Sequence, residues 1–460
     1  MAGDSTIDRY IARFPRSRQL FERAKKALPR GVSHDGWFLS PFPIYIKRAK
    51  GSREWDIDGF EYVDYIGGHG ALLLGHAHRS LVEALEEQAR QGTHFGASHE
   101  LQVQWAEQIK VLVPSAEKVE FTNSGTEANM LALRLARTFT GRKKILKFRG
   151  HFGGFADHLM VGTNPPWEMP GSAGILPCDI ENTLVIPAND EKVLERALAG
   201  RDVALLMVEA AGAFSGVTGI APSFYRTIRD LTSLYGTLLH FDEVVTGFRY
   251  APGGVQGAKG IMPDITSLGK VLTGGVPGAG ALVGRADIMD LMQFKDNDMG
   301  WNRFKRVSHT GTFNGNPLCA SAGITTLGII ADGSPQRMAN DTALTLRHRM
   351  QEIIDDMGLP GCAYGDFSVF HLYFGECAMR DRCDKLICLN EEKERSPAVG
   401  RLLAMAMALH GVHIANRGYD GFISAAHDEE DVSVTLNAFK LSVYTLVKEG
   451  LLGKRSAGGI

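Results

Sequence analysis

The sequence contains little cysteine and no long apolar run. Only 6 of its 460 residues are cysteines, and none forms the Cys-x-x-Cys pair typical of zinc sites. Four cysteines fall between Cys362 and Cys388, and we interpret them as separate reduced thiols rather than as a disulfide framework or a metal cluster. The first 31 residues lack the continuous apolar stretch of a signal peptide or a membrane span. The sequence therefore predicts a cytoplasmic protein with neither a membrane partner nor a metal.

The charges show no excess of one sign. The chain has 50 lysine and arginine residues against 52 aspartate and glutamate residues, a formal net charge of -2. Nucleic acids and anionic membranes are bound by clustered positive charge, so we expect neither as a partner. The 44% of hydrophobic residues is ordinary for a globular enzyme, and the length exceeds what one hydrophobic core usually supports.

Short apolar runs alternate with longer amphipathic stretches between about residues 80 and 330. This pattern is typical of an α/β fold in which helices cover a mostly parallel sheet. Strands are predicted at residues 118–122, 144–148, 204–208, 237–241 and 265–268. Ligands bind at the carboxyl ends of the strands in such sheets, so the residues that follow these strands are the first candidates for a site.

Three parts of the chain are expected. Residues 1–65 form an N-terminal segment that packs with the small domain, residues 66–330 form a large domain, and residues 331–460 form a smaller α+β domain. Outside the large domain we predict strands at residues 42–46, 367–373 and 422–424, a turn at residues 56–59 and a helix at residues 431–446.

The first motif is Ser124-Gly125-Thr126, which joins a strand to a long helical stretch. A helix N-terminus with a glycine and two hydroxyl groups can bind a phosphate through its backbone N–H groups and the positive end of the helix dipole. The same residues also suit an ordinary helix cap, and this segment alone leaves both interpretations open. Gly311-Thr312, shortly before a helix expected near Leu318, has the same chemistry.

Two other strands deliver complementary side chains. Asp242 and Glu243 end one strand, where a carboxylate could bind a metal, act as a base, cap a helix or pair with a protonated ring nitrogen. Lys270 follows another strand in glycine-rich surroundings. Lysines are usually solvated, but burial at the end of an internal strand lowers the pKa of the amine and makes it a nucleophile and base.

In their order along the chain, these motifs resemble the class III aminotransferases of fold type I, from about residue 25 to the C-terminal helix. The resemblance implies the cofactor pyridoxal 5'-phosphate, a small-molecule amino donor, a keto-acid acceptor and a homodimer with shared active sites. It implies that Lys270 holds the cofactor as a Schiff base and Asp242 pairs with its ring nitrogen. The cofactor-binding residues that it implies are Ser124, Gly125, Thr126, Phe152, Glu209, Asp242, Val244, Lys270 and Thr312.

Each of these residues has an implied role. Residues 124–126 would hold the phosphate, Thr312 would reach the phosphate in the neighbouring subunit, and Val244 would pack on one face of the ring. Phe152 would stack on the other face. The sequence Phe148-Arg149-Gly150-His151-Phe152-Gly153-Gly154 resembles the family's Phe-x-Gly-x-Tyr-His-Gly, with glycine in place of the histidine. Val208-Glu209-Ala210 resembles its Val-Glu-Pro.

Within the class, the chain is similar to the group that contains glutamate-1-semialdehyde aminomutase and D-phenylglycine aminotransferase. The similar stretches include Trp55-Asp56-Ile57-Asp58-Gly59, Gly75-His76-Ala77-His78 and Thr246-Gly247-Phe248-Arg249. In the aminomutase an N-terminal loop brings an arginine towards the substrate carboxylate. The matching residues 31–37 contain no arginine, so the aminomutase interpretation lacks this group for binding the substrate carboxylate.

We therefore expect an aminotransferase that moves an amino group from a hydrophobic or D-configured amino acid, or an amine, to a keto acid by a ping-pong mechanism. An isomerase, either an aminomutase or an amino-acid racemase, is the alternative. A substrate carboxylate is most naturally bound by an arginine, and Arg417 is the candidate. Trp37, His69 and Phe214 are candidate pocket walls, although aromatic residues also line structural cores.

Overall fold

The computed structural model describes residues 5–377, 388–389 and 393–453. Contacts divide the chain into two compact units. Of the described residues, the terminal unit contains 5–78, 337–377 and 393–453, and the central unit contains 79–336 and 388–389. Among the described residues, no helix has the length and apolar character needed to cross a membrane.

Strands and α-helices are numbered separately in chain order. The strands are β1 (Ile46–Lys50), β2 (Arg53–Asp56), β3 (Glu61–Asp64), β4 (Lys118–Thr122), β5 (Lys144–Phe148), β6 (Thr183–Ile186), β7 (Val203–Glu209), β8 (Thr218–Gly219), β9 (Leu238–Glu243), β10 (Ile265–Leu268), β11 (Gly280–Gly284), β12 (Gly361–Tyr364), β13 (Val369–Phe374), β14 (Val412–His413) and β15 (Asp420–Phe422). The helices are α1 (Thr6–Arg13), α2 (Pro15–Ala24), α3 (Gly67–Gly70), α4 (Arg79–Gln91), α5 (Glu100–Leu112), α6 (Gly125–Thr140), α7 (Asp157–Met160), α8 (Pro177–Glu181), α9 (Glu191–Ala199), α10 (Ala213–Gly216), α11 (Phe224–Tyr235), α12 (Gly254–Lys259), α13 (Ala286–Met289), α14 (Pro317–Ile330), α15 (Ser334–Asp356), α16 (Pro397–Leu409) and α17 (Glu429–Lys448).

The central unit is built around a seven-stranded sheet with the order β4-β11-β10-β9-β7-β5-β6. Neighbouring strands are parallel from β10 to β6, whereas β11 is antiparallel to both β10 and β4. Every residue of β7, β9 and β10 is buried, as expected when helices cover both faces of a parallel sheet. The predicted α/β fold is confirmed, and β4, β5 and β10 have the predicted limits.

Helix α6 connects the end of β4 to the core of the central unit. Ser124 caps its first turn, and Gly141 ends it in the left-handed conformation, with φ of 71°. Its buried face includes Leu131 and Leu135, and it contacts β7, β10 and β11. Burial of each leucine contributes roughly 1.5–3 kcal/mol. This packing fixes the N-terminus of α6 at the edge of the sheet where β4 ends.

The terminal unit contains a four-stranded sheet, β1-β2-β3-β14, and a three-stranded sheet, β12-β13-β15. The predicted strand at residues 42–46 is wrong, because only Ile46 belongs to a strand. Pro41 and Pro43 lack the N–H groups that a strand needs. Phe42 is instead buried, and its carbonyl accepts the Tyr10 hydroxyl at 3.1 Å. The strands and the helix predicted after residue 360 exist, each shifted by a few residues.

Candidate active site

The register of three parallel strands brings acidic and basic side chains to one edge of the central sheet. β7 pairs with β9 so that Glu209 lies opposite Asp242, and β9 pairs with β10 so that Asp242 lies opposite Ser267. Lys270 follows the end of β10. Parallel strands end at the same edge, where ligands of α/β proteins bind. The two carboxylates and the lysine are therefore neighbours.

Asp242 is buried and held in a fixed orientation. Its Oδ1 accepts the N–H group of Val244 at 2.9 Å, and its Oδ2 accepts the side-chain amide of Asn129 at 2.7 Å. Burial raises the pKa of the Asp242 carboxyl, whereas these hydrogen bonds and the nearby Lys270 lower it. Each oxygen keeps a further lone pair. The carboxylate can therefore accept a hydrogen bond from a protonated ring nitrogen.

Glu243 has a different role from Asp242, although the sequence alone did not show which of the two acids has which role. Its carboxylate accepts the N–H groups of Val255 and Gln256 at 2.8 and 3.1 Å and the Thr246 hydroxyl at 2.9 Å. It is fully buried, and burial raises its pKa. Glu243 therefore anchors the start of α12 and leaves Asp242 as the acid of this pair that interacts with the Lys270 amine.

Lys270 combines an unusual backbone with a perturbed amine. Its φ of 50° lies in the left-handed region, which costs a non-glycine residue about 1–2 kcal/mol. Burial lowers the pKa of its amine, while Asp242 and Glu209 act in the opposite direction. A lowered pKa increases the fraction of the nucleophilic, unprotonated amine. Strained backbone of this kind is concentrated at functional sites.

The N-terminus of α6 offers a place for a phosphate. Ser124 Oγ accepts the N–H group of Glu127 at 3.2 Å. Ser124 therefore forms the ordinary helix cap, which the sequence analysis kept as one of two interpretations. The N–H groups of Gly125 and Thr126 open the helix, where backbone donors have no intrahelical acceptor. They and the helix dipole remain suited to an anion.

Val244 and two glycines join this helix end to the lysine. A Cβ atom on Gly125 would lie 2.5 Å from Val244 Cγ2, and a Cβ atom on Gly269 would lie 3.2 Å from Val244 Cγ1 and 3.9 Å from the Gly125 nitrogen. The phosphate-binding donors, Val244 and the Lys270 segment thus lie together. Pyridoxal phosphate requires an amine for its aldehyde, a carboxylate for its ring nitrogen and an anion-binding helix end for its phosphate, so the residues fit this cofactor.

The segment after β5 is tied to Glu209. The Phe152 N–H group donates to Glu209 Oε2 at 3.1 Å, and the Glu209 N–H group donates to His151 Nδ1 at 2.8 Å. Burial lowers the pKa of His151 to about 3, so this ring is neutral. The Phe152 side chain is 40% exposed. Its stacking on a cofactor ring stays a prediction.

Sequence reasoning gave no role to three buried polar residues of this site. Asn129 donates to Asp242 and to the Gly153 carbonyl, His151 accepts from Glu209, and Lys147 Nζ donates to the Val161 carbonyl at 3.0 Å and to the Leu159 carbonyl. Burial lowers the pKa of Lys147 to about 7. Two features of the sequence could have indicated them: Lys147 lies inside the apolar run of β5, and Asn129 lies on the buried face of α6.

Three of the predicted substrate-binding residues lie in the terminal unit. Trp37 Nε1 donates to His69 Nε2 at 2.8 Å, and the two rings are nearly parallel, with an angle of 17°. Asn416 donates to the Trp37 carbonyl at 2.8 Å, which places the turn before Arg417 beside Trp37. His69 has a left-handed φ of 56°. The structure therefore brings Trp37, His69 and the Arg417 turn together.

The fourth predicted substrate-binding residue, Phe214, and the predicted phosphate contact, Thr312, lie in the central unit. Phe214 belongs to the short helix α10. Thr312 is exposed, in the loop before α14. That loop is fixed by His309, whose Nδ1 lies 2.9 Å from Glu120 Oε1. The roles of Phe214 and Thr312 stay predictions.

The cysteines and the potential metal ligands occupy separate places in the fold. Cys178 is exposed, Cys319 and Cys388 are buried, and Cys362 and Cys377 are partly exposed, whereas Cys383 lies outside the described residues. Within the described part of the chain, one group has ligand atoms close enough to share an ion, Glu54, Asp64 and His413. His413 Nδ1 is hydrogen-bonded to Glu54, and His76 Nε2 lies 2.7 Å from Asp64 Oδ2. These contacts join Glu54, Asp64, His413 and His76 in one network of histidine–carboxylate pairs.

Known proteins resemble this chain over most of its length. The sequence model of the family 'aminotransferase class-III' matches residues 39–359 of this chain. The glutamate-1-semialdehyde 2,1-aminomutase of Methanothrix thermoacetophila is 36% identical over 429 residues, which are 92% of this chain and 96% of that protein. An omega-transaminase from Sphaerobacter thermophilus has 30% identity and a TM-score of 0.83, covering 95% and 99% of the two chains. A β-phenylalanine aminotransferase from Variovorax paradoxus has 28% identity and a TM-score of 0.85, covering 98% and 99%.

Proposed function

Because the chain belongs to the class III aminotransferase family, it is a pyridoxal-phosphate-dependent enzyme, and we propose that it moves amino groups on small molecules with Lys270 as the cofactor-binding lysine. The observation that carries this proposal is the register of β7, β9 and β10. It gathers Glu209, Asp242 and Lys270 beside the N-terminus of α6. The family and the cofactor expected from the sequence are confirmed.

When bound, pyridoxal phosphate supplies an aldehyde that condenses with amines and a protonated ring that withdraws electrons from the substrate carbon. In the proposed reaction the Lys270 amine would carry a proton between the substrate carbon and C4′ of the cofactor. Asp242 would keep the ring nitrogen protonated, and the first turn of α6 would hold the phosphate. Phe152 lacks the hydroxyl of the family's tyrosine and Gly153 replaces the family's histidine, so Lys270 would carry the proton transfer without help from either position.

The first candidate reaction is an isomerisation of the aminomutase type. The sequence motifs favoured a transaminase, but the 36% identical relative that covers nearly the whole chain is an aminomutase. This finding favours the alternative. In an isomerase the amino group would return to another carbon of the same molecule while Lys270 moves the protons, and no keto acid would be required.

The second candidate is transamination of a hydrophobic amino acid or amine, and a specific feature of the terminal unit favours it. Residues 31–37 contain no arginine, and the nearby Arg30 is paired with Asp35. The loop instead presents Trp37, which is 46% exposed and is held by His69. An aromatic ring at this position would suit an apolar substrate group. Arg417 would bind the substrate carboxylate.

A homodimer with shared active sites is part of the proposal. Thr312 would reach the phosphate of the cofactor in the neighbouring subunit. Its loop is exposed in the single chain and is held by the pair of His309 and Glu120, so it could meet a second copy without rearranging. Size-exclusion chromatography with light scattering should give twice the mass of the chain.

One experiment separates the two reactions. The purified holoenzyme is mixed with L- and D-amino acids, amines and glutamate-1-semialdehyde, without a keto acid, and the cofactor absorbance and product are followed. An isomerase turns over continuously and regains its absorbance. A transaminase stops after one half-reaction and resumes when a keto acid is added. A protein that binds no cofactor would refute the whole proposal.

A further inference from the structure

Asn129 occupies a point where two parts of the site meet. It lies on the buried face of α6 and is 1% exposed. Its side-chain amide donates to Asp242 Oδ2 and to the Gly153 carbonyl, both at 2.7 Å. One amide group therefore holds the carboxylate at the end of β9 and the backbone next to Phe152.

The hydrogen bonding of Asn129 differs from that of an ordinary structural amide. Both N–H bonds are used, yet its Oδ1 is buried without a hydrogen-bond partner among the described residues. Buried acceptors are normally satisfied, and an exception calls for an explanation. The reverse orientation of the amide would point its oxygen at two acceptors, so the donor assignment is fixed by the neighbours. Asn129 therefore directs two N–H donors at two specific acceptors, Asp242 Oδ2 and the Gly153 carbonyl.

We propose that Asn129 is a positioning residue of the reaction, which orients the Asp242 carboxylate and, through Gly153, fixes the place of Phe152. This inference rests on the proposed role of Asp242. Asn129 itself does not touch the substrate in this proposal. It acts by holding one carboxylate and one peptide group in the arrangement that the cofactor ring would meet.

The consequence for acidity follows from the groups that face Asp242. These are the N–H group of Val244, the amide of Asn129, and the amines of Lys270 and Lys147, with Glu209 opposite Asp242 on β7. A donor hydrogen bond stabilises the ionised carboxylate. Removal of the Asn129 amide therefore raises the pKa of Asp242, so that the ionised form is lost at a higher pH than in the wild type.

The test compares near-isosteric variants. Asn129→Leu removes both donors, and Asn129→Asp replaces the donor to Asp242 with a second negative charge. Gln256→Met is the matched control, because Gln256 is also a buried amide, 2% exposed, that donates to a buried carboxylate, Glu243 Oε1 at 3.2 Å. The measurements are single-turnover rates across pH, the pH titration of the bound cofactor's absorbance, and hydrogen exchange of residues 149–162 in the cofactor-free protein.

We expect Asn129→Leu to lower the single-turnover rate at least about tenfold, to move the acid limb of its pH profile upward, and to speed hydrogen exchange in residues 149–162. Asn129→Asp should move the acid limb further. Gln256→Met should lower the melting temperature and leave the acid limb and this exchange unchanged. If Asn129→Leu only lowers the melting temperature, as the control does, the inference is overturned.

Asp242→Asn separates this outcome from a failure of the proposed function. If Asp242→Asn removes the acid limb and slows the reaction while Asn129→Leu does neither, the inference on Asn129 fails alone. If Asp242→Asn itself keeps the wild-type rate and profile, the role of Asp242 fails, and the inference falls with it.

Discussion

Asp242 and Glu243 are consecutive in β9, yet their carboxylates have separate partners, Asn129 and Val244 for the first and Val255, Gln256 and Thr246 for the second. We expect Asp242→Asn to slow the proton-transfer step about 10²–10⁴-fold while it weakens cofactor retention far less. Glu243→Gln should keep that step and lower the free energy of unfolding by about 1–3 kcal/mol, because an amide nitrogen would face N–H donors. Rapid kinetics and denaturant unfolding measure both. Equal effects of Asp242→Asn on rate and retention would mean that the carboxylate only binds.

Lys270→Ala should abolish the absorbance band of the lysine-bound cofactor and reduce turnover by at least about 10²–10⁴-fold. The fold should persist, because every residue of the preceding strand β10 is buried without any contribution from the Lys270 side chain. Absorbance, turnover and circular dichroism are compared with those of the wild type. Retained turnover in the alanine variant would refute the assignment.

Lys147 should make the stability of the cofactor-free protein depend on pH. Burial lowers its pKa to about 7, whereas an unfolded lysine keeps its proton up to about pH 10.4. Between these values the unfolded chain binds more protons, so the Lys147 contribution to the free energy of unfolding rises with pH, by up to about 1.4 kcal/mol per unit.

The Lys147→Met variant should therefore show a flatter dependence than the wild type from about pH 7 to pH 10. Lys144→Met is the control, since Lys144 lies on the same strand with a 38% exposed side chain paired with Asp202. Urea unfolding at several pH values gives the three curves. Parallel curves for Lys147→Met and the wild type would contradict the expectation.

Arg417→Ala should raise the KM of carboxylate-bearing substrates about 10–100-fold, as expected for the loss of charged hydrogen bonds of about 1.5–3 kcal/mol. The KM of an amine without a carboxylate should stay the same. Arg417→Lys should recover part of the loss, because a point charge replaces a bidentate fork. Steady-state kinetics with a matched amino acid and amine decide the role. Equal KM changes for both substrates would exclude it.

The central sheet was predictable from sequence because its strands are short apolar runs that end in distinctive residues. The limits of β4, β5 and β10 needed no tertiary information, and the ends of β9 and β10 pointed to Asp242 and Lys270. The register that sets Glu209 opposite Asp242 could not be read from either strand alone. It depends on which strands become neighbours in the sheet.

The failures have local physical causes. The strand expected at residues 42–46 followed from its apolar residues, but Pro41 and Pro43 remove the donors that pairing requires. The separation of Glu243 from Asp242 depends on the start of α12, a dozen residues away. Asn129 looked like one helix residue among many, and its two acceptors lie 24 and 113 positions further along the chain. No local pattern encodes such contacts.

The Lys147 amine donates hydrogen bonds to two backbone carbonyls. This has a practical consequence for chemical labelling. Burial lowers the pKa of both Lys147 and Lys270, which increases the unprotonated fraction of both amines and so their reactivity towards reductive alkylation. Lys147 is fully buried and its amine donates to the Leu159 and Val161 carbonyls, so of these two lysines only Lys270 should be modified while the protein stays folded. In peptide maps of the cofactor-free protein, modification of Lys147 would then report the opening of the segment after β5.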